Sequence, residues 1–115
     1  MERVIFKVCD RESWSEAKQK GRFQGAPIDV EDGYIHFSTA TQLAETLAKH
    51  FAGQEDLVLV AVRTANLGPN LKWEVSRGGA LFPHLYEDLD LKHVNWEHLL
   101  ALSDGHHVLP DLERE

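Results

Sequence analysis

The fold is decided by residues 32–53, which read DGYIHFSTATQLAETLAKHFAG. Residues 34–38 are rich in side chains that favour strands, and side chains along a strand alternate between its two faces. Ile35 and Phe37 are therefore predicted to point to one face. The polar side chains on the other face are Tyr34, His36 and Ser38. The sequence thus predicts a strand with one apolar and one polar face.

A helix is predicted to follow this strand directly. Thr39 and Gln42 have the spacing of a capping box, in which each side chain satisfies a backbone amide near the helix start. Apolar side chains recur at four-residue spacing at Leu43, Leu47 and Phe51. This period buries one helix face, and Gly53 is predicted to end the helix.

The N-terminal segment predicts a strand and a second helix. Residues 3–9 are mostly apolar and are predicted to form a buried first strand. Asp10 can cap the following helix and Gly21 can end it. Its mostly apolar face is formed by Trp14, Ala17 and Lys18. Turn signals at residues 25–27 and 31–33 predict a short connector between this helix and the central stretch.

Beyond the central stretch, two further strands are predicted. Residues 57–62 are all apolar, which is typical of a strand in the centre of a sheet. A turn over residues 66–70 leads to an alternating segment, residues 71–76. One face of this segment carries Leu71, Trp73 and Val75, and the other carries Lys72, Glu74 and Ser76. The alternation predicts a strand with one wet face.

The C-terminal part is predicted to be mainly extended. Residues 77–79 break the preceding strand because two glycines make the backbone flexible. Residues 82–86 are predicted to be irregular, since Pro83 removes a hydrogen-bond donor and restricts its predecessor. Residues 93–102 predict a late strand and residues 108–110 a closing segment. Two early helices followed by strands predict an α+β fold.

Bulk properties restrict the class of protein. The 115 residues fit one domain, predicted over residues 1–110, with a frayed charged tail over residues 111–115. No apolar run approaches the roughly 18 residues that span a bilayer, and the first residues lack the features of a signal peptide. We therefore expect a cytoplasmic protein. Cys9 is the only cysteine, so no internal disulfide can form, and such a thiol is most often simply buried.

The charge balance restricts the partners. The formal net charge is −7, and no cluster of lysines and arginines offsets it. A surface this acidic repels phosphate backbones and anionic lipids. We expect a small-molecule ligand, no extended nucleic-acid binding and no membrane segment. A small anionic ligand held by local cations stays open, and the sequence does not determine the oligomeric state.

The first candidate site is the polar strand face of Tyr34, His36 and Ser38, which leads to the helix start at Thr39. Histidine exchanges protons near neutral pH, and the free amides of a helix start favour an anion. Together they would suit a phosphate, a carboxylate or a developing oxyanion. The alternative is that these side chains form only the wet side of a half-buried sheet.

The second candidate site surrounds the glycine-rich break. Its members are Trp73, Glu74, Arg77, His84 and Tyr86. They place a carboxylate, a guanidinium, an imidazole and a phenol around a loop that can approach a ligand closely. The alternative is a surface ion pair with core aromatic residues, which would stabilise the fold little.

Metal and serine-hydrolase chemistry have weaker support. His36, His84 and Glu74 would be reasonable metal ligands, but no histidine spacing matches a known zinc pattern. Ser38 is not in the G-x-S-x-G turn of a hydrolase nucleophile. We therefore predict no metal site and no serine triad.

Several motifs resemble a known bacterial family. They are DGYIHFST (residues 32–39), LVL (57–59), L-x-WE (71–74) and LFPHLY (81–86). In this order they are similar to the family catalogued as domain of unknown function 952. The resemblance extends from the first strand to residues 108–110.

The family is similar in fold to the ADP-ribosyltransferases and the RNA 2′-phosphotransferases. This resemblance implies two small, mostly antiparallel sheets that form a cleft with two helices, and NAD as the implied cofactor. In the transferases a strand histidine holds a ribose hydroxyl, and His36 matches that position. The sequence departs from the pattern because Glu74 precedes Tyr86 instead of following it, and Glu97 lies on a strand without a supporting motif.

Three hypotheses follow for the function. The first is a transferase or hydrolase acting on NAD or on a ribose or phosphate group. In it His36 orients the sugar and Trp73 or Tyr86 stacks on the base, while Glu74 or Arg77 handles charge. The second is a non-catalytic small-ligand-binding module, and the third assigns the histidines a purely structural role. All site hypotheses expect residues 36 and 84 to face each other across a shared cleft.

Overall fold

The structure, a computed structural model, describes residues 3–112 apart from the side chain of Arg77. The strands are β1 (Val4–Asp10), β2 (Arg22–Phe23), β3 (Ile35–His36), β4 (Leu57–Arg63), β5 (Leu71–Val75), β6 (Leu81–Leu85), β7 (Leu89–Asp90), β8 (Val94–Ser103) and β9 (His106–Val108). The helices are α1 (Arg11–Lys20), α2 (Pro27–Asp32) and α3 (Ala40–His50). The predicted α+β class is confirmed. Of the predicted tail, residues 113–115 lie outside the described part of the chain.

All strand pairs are antiparallel, and within residues 3–112 they form three sheets instead of the two that were expected. The strand orders are β1-β4-β8-β9, β3-β6-β5 and β2-β7. One isolated bridge joins the first two sheets, because Phe6 and Ser38 exchange both backbone hydrogen bonds at 2.8 Å. The β-structure therefore curls from one sheet into the next like half of a barrel.

The apolar strand β4 lies between two hydrophobic cores. Its alternate side chains face opposite sides, as the strand period requires. One core contains Val58, Val60 and Val62 of β4 with Trp14 and Ala17 of α1. The other core contains Leu57, Leu59 and Ala61 of β4 with Leu43 and Leu47 of α3. The predicted central strand and the predicted apolar helix faces are confirmed, except that Lys18 is exposed.

The helix ends follow the capping signals. Asp10 accepts a hydrogen bond from the Ser13 amide at 2.8 Å, and Gly21 ends α1 with φ of 80°. Thr39 and Gln42 form the predicted capping box of α3. That helix ends at His50, three residues before the predicted stop, because Phe51 already leaves the helical conformation.

The segment around Pro83 is a strand, so the prediction of irregular structure there was wrong. It forms β6, the middle strand of its sheet. The Phe37 amide donates to the Pro83 carbonyl at 3.0 Å, so the nitrogen of Pro83 also faces β3. The pairing with β5 is not affected, because no hydrogen bond to β5 would use the nitrogen of Pro83. On the β3 side the missing N–H prevents the return bond to Phe37, and the ladder ends at His36.

The predicted connector between two turns is wrong as well, because it forms the short helix α2. Pro27 occupies the first helical turn, where a missing amide hydrogen does no harm. Asp29 accepts a hydrogen bond from the Ala26 amide at 2.8 Å, and Gly33 ends the helix with φ of 88°. The helix itself has six residues, which is too short for a helical period to be recognised in the sequence.

Two smaller expectations concern membranes and the thiol. Among the described residues, no helix has both the length and the apolar character needed to cross a membrane. Cys9 is buried in the first core, and burial raises the pKa of its thiol to about 12. The reactive thiolate is therefore disfavoured near neutral pH.

Candidate functional site

His36 and His84 are neighbours on one face of the β3-β6-β5 sheet. They are directly opposite each other in the β3–β6 pair, and their ring centroids are 5.5 Å apart. Opposite residues of an antiparallel pair point to the same face. The two imidazoles therefore lie side by side on one wall, whereas the sequence predicted that they face each other across a cleft.

This wall borders a cavity of about 470 Å³, within the usual size range of small-molecule sites. Its apolar lining is Phe6, Val8, Ile28, Phe37, Phe51 and Phe82. Its polar lining is Lys7, Asp32, His36, Ser38, Thr46, His50, Ser76 and His84. The cavity therefore combines apolar surface with converging polar groups, as ligand sites do.

Asp29 holds two of the lining residues, Lys7 and His36, in place. Its side chain is 1% exposed, and its two oxygens lie 2.9 and 2.7 Å from the Lys7 ammonium. It also accepts hydrogen bonds from the backbone amides of Ala26 and His36. Burial raises the pKa of Asp29, but the His36 hydrogen bond and the Lys7 charge outweigh burial and hold the pKa below its ordinary value. Asp29 is thus an ionised, fully satisfied carboxylate.

Both ring nitrogens of His36 face carboxylates. Nδ1 lies 2.6 Å from Asp29 Oδ1, and Nε2 lies 3.0 Å from Asp32 Oδ2. A neutral imidazole carries one N–H, so only the imidazolium can donate to both acids. In this conformation neither nitrogen is open to a ribose hydroxyl, and the half-exposed Asp32 carboxylate is the group that faces outward.

His84 belongs to a second carboxylate–histidine pair. Its Nδ1 lies 2.8 Å from Glu74 Oε1, and the Tyr86 hydroxyl donates to the same oxygen at 2.7 Å. The hydrogen bonds from Tyr86 and then from His84 lower the pKa of Glu74. The carboxylate in turn raises the pKa of Tyr86 to about 12, so this phenol stays a donor.

The other ring nitrogen of His84, Nε2, has no hydrogen-bond partner among the described residues. The side chain is nearly buried, but it lines the cavity. With Nδ1–H donated to Glu74, the lone pair lies on Nε2. A carboxylate-oriented imidazole with one open nitrogen is the arrangement of a general base.

Tyr34 packs against both histidines. Its ring stacks on His84 with centroids 4.2 Å apart and lies 4.6 Å from the ring of His36. Its centroid is also 5.1 Å from that of Tyr86. Tyr34 therefore packs against both imidazoles and limits their rotation.

The other predicted site residues are not part of the two carboxylate–histidine pairs. Ser38 lines the cavity and hydrogen-bonds to Thr46 at 2.9 Å, while Thr39 caps α3. Trp73 lies on the face of β5 opposite Glu74 and packs against the first core, so the structure does not bring it to the histidines. Arg77 begins a short turn, and its side chain lies outside the described part of the structure.

Lys7 and Asp29 are site residues that the sequence reasoning missed. Lys7 is the one charged residue within the apolar run of β1, and a charge in such a strand is rarely buried without a partner. Asp29 follows Pro27 at the position where an acidic side chain caps a helix. Both signals were present, but nothing in the sequence joins two residues 22 positions apart.

The lowered pKa of Asp29 predicts a pH dependence of stability. In the unfolded chain Asp29 has its ordinary, higher pKa and binds a proton first as the pH falls. The stabilisation that ionised Asp29 provides is therefore fully present above about pH 4, and it is lost as the pH falls through the pKa of Asp29 in the folded chain. We expect Asp29→Asn to flatten the acid limb of the unfolding free energy, measured by urea titration. An acid limb unchanged in this variant would contradict the assignment.

Comparisons with known proteins support the architecture. A family model described as "Protein of unknown function (DUF952)" matches residues 8–97. Protein CC0527 from Caulobacter crescentus has a crystal structure that matches this one with a TM-score of 0.88, and its sequence is 49% identical to this chain. The match covers 91% of this chain and 93% of that chain. The solution structure of the same protein is 48% identical with a TM-score of 0.81, covering 90% of each chain. The comparison with curated proteins gives no significant match.

Proposed function

Since this chain belongs to the DUF952 family, as its motifs predict, we propose an activity from the geometry of its own cavity. The activity is that of a transferase or hydrolase acting at the ribose or phosphate part of a nucleotide, with NAD as the first candidate. The observation that carries the proposal is the Glu74–His84 pair, because His84 lines the cavity and its Nε2 has no hydrogen-bond partner among the described residues. The fold resemblance to ADP-ribosyltransferases supports the choice of NAD by analogy alone.

In the proposed reaction His84 is the general base. Its Nε2 takes a proton from water or another hydroxyl as that oxygen bonds to the anomeric carbon of the ribose. The bond from this carbon to the nicotinamide nitrogen breaks, and its electron pair stays on nicotinamide. Glu74 holds Nδ1–H and stabilises the imidazolium that forms. The proton balance closes when His84 returns its proton to solvent.

The neighbouring acids and aromatic side chains have binding roles in this proposal. Asp32 accepts hydrogen bonds from ribose hydroxyls, and His36 fixes the orientation of Asp32 through their 3.0 Å contact. The phenylalanine side chains of the lining surround the planar ring of the ligand. Ser38 supplies a hydroxyl group at the cavity lining, and Thr39 holds the start of α3 in place beside it. Arg77 remains a candidate for phosphate contact.

A second candidate function is non-catalytic binding of a small ligand in the same cavity. It is favoured by His36, whose ring nitrogens are both occupied by carboxylates and so are not poised for chemistry. It is also favoured by the order of Glu74 and Tyr86, which departs from that of the transferases. Binding without turnover would distinguish this function from the first.

The test is calorimetry with NAD and with ADP-ribose at millimolar concentration, together with an assay for nicotinamide release. The proposed activity predicts both binding heat and release. Binding heat without release supports the non-catalytic function. No heat with either compound and no nicotinamide release from NAD would reject the proposed activity on NAD.

A further inference from the structure

We propose that β5 is a dimerisation edge, at which two copies of this chain pair antiparallel through their Leu71–Val75 segments around Trp73. The inference is independent of the proposed function. It rests on the open backbone groups of β5, on the order of its side chains and on an exposed apolar pair beside it. An antiparallel strand pair with a twofold axis is a common way to join identical chains.

The backbone of β5 leaves one set of hydrogen-bonding groups open. Asn70 and Ser76, which flank the strand, bond toward the β6 side, through Tyr86 and Ala80 respectively. The pattern alternates along a strand, so Lys72 and Glu74 also bond to β6. The backbone N–H and C=O groups of Leu71, Trp73 and Val75 then point to the free edge of the sheet. In residues 3–112 no backbone partner is found for the amides of Trp73 and Val75.

The twofold pairing satisfies these groups. With Trp73 opposite the partner's Trp73, each N–H meets the carbonyl of the other chain. Val75 is then opposite Leu71 of the partner subunit, and its N–H meets the Leu71 carbonyl. The Leu71 amide already donates to Gly68 at 3.2 Å, so it is the one donor of the edge that the pairing does not need.

The side chains of β5 are complementary to themselves in this arrangement. Lys72 is opposite Glu74 of the partner subunit, and the second Lys72–Glu74 pair follows by symmetry. Opposite charges in directly facing positions stabilise a strand pair, and like charges destabilise it. Lysine on an edge strand normally discourages pairing, but in this alignment it meets an acid.

Exposed apolar side chains lie beside the same edge. Val75 is 69% exposed, and Leu81, which is opposite Val75 in the β5–β6 pair, is 52% exposed. The proposed dimer places Leu71 of the partner subunit next to Val75. Burying this surface favours association. By comparison, β9 at the edge of the four-stranded sheet has three residues, and none of them is acidic.

Dimerisation would add a residue to the candidate site. Glu74 holds His84 Nδ1 at 2.8 Å, so Lys72 of the partner subunit comes to lie beside the carboxylate that orients the histidine. Each site would then contain one cation from the other chain.

The first experiment measures molar mass by sedimentation equilibrium from micromolar to millimolar concentration. We expect a reversible dimer for the unmodified chain. Val75→Pro removes an N–H that faces the free edge and leaves the β5–β6 bonds intact, so we expect a folded monomer. Val75→Thr retains the amide and the branched shape and serves as the matched control, which should still dimerise. Thermal melting checks that each variant folds.

The second experiment tests the alignment. Lys72→Glu and Glu74→Lys each create like-charged pairs, and we expect at least a tenfold weaker homodimer for each. When the two variants are mixed, the acids of one chain face the lysines of the other, and a heterodimer should form with an affinity near that of the unmodified chain.

Three results would overturn the proposal. They are a monomeric unmodified chain at all concentrations, a Val75→Pro variant that is folded and still dimeric, and charge variants that do not pair when mixed. A Glu74→Lys variant that fails to fold leaves the proline experiment decisive.

Discussion

Asp29→Ala is expected to lower the free energy of unfolding by about 3–5 kcal/mol, the range found when one partner of a buried ion pair is removed. The substitution leaves the Lys7 ammonium buried, with no other opposite charge in contact among the residues that the structure describes. It also removes the acceptor for the amides of Ala26 and His36. Urea unfolding at neutral pH measures the change through the shift of the midpoint at constant slope.

Asp32→Ala is the matched control for this prediction. Asp32 lies on the same helix and contacts the same histidine, but its carboxylate is half-exposed and water screens its charge. We expect a loss below about 1 kcal/mol. Equal losses in the two variants would contradict the assignment of Asp29 as the buried centre of the site.

His84→Ala is expected to reduce the rate of nicotinamide release by about 10²–10⁴-fold on the proposed function, because a positioned general base contributes that factor. Ligand binding should change little, since Asp32 and the apolar lining remain. Single-turnover assays with NAD measure the rate, and calorimetry measures binding separately.

Two further variants test the role of Glu74 and the specificity of the effect. Glu74→Gln retains an oxygen acceptor for His84 Nδ1–H but loses the charge that stabilises the imidazolium, so we expect a smaller loss of rate. His93→Ala removes a histidine that does not line the cavity and should react like the unmodified chain. If His84→Ala keeps the full rate, His84 is not the base.

The sequence predicted those elements whose own pattern determines them. β4 is apolar at every position from 57 to 62, and the capping box at Thr39 defines the start of α3. β6 was missed because proline disrupts a strand only where the adjacent strand requires a hydrogen bond from the missing amide. Only the tertiary structure shows that Pro83 turns its nitrogen away from β5.

The candidate site divides in the same way. Alternation along a strand indicated the polar face of His36, and the motif around His84 indicated a second polar group. The distance of 5.5 Å between the two imidazoles depends on which strands pair. The position of Trp73 depends on strand pairing as well. Local alternation places Trp73 on the face opposite Glu74, but only the folded structure shows that this face packs against the core. Lys7 and Asp29 lie on different elements, and a buried charge finds its partner only when the chain folds.

The buried Lys7–Asp29 pair also determines how β1 aligns with β4. Both strands are apolar on both faces, so hydrophobicity alone would accept a pairing displaced by one residue. Such a slip would turn every side chain of β1 to the opposite face. Lys7 would then enter the leucine-rich core beneath α3 and would lose Asp29, the one buried carboxylate among the described residues. The cost of burying the Lys7 ammonium without a partner therefore disfavours the displaced pairing, which the apolar side chains alone would allow.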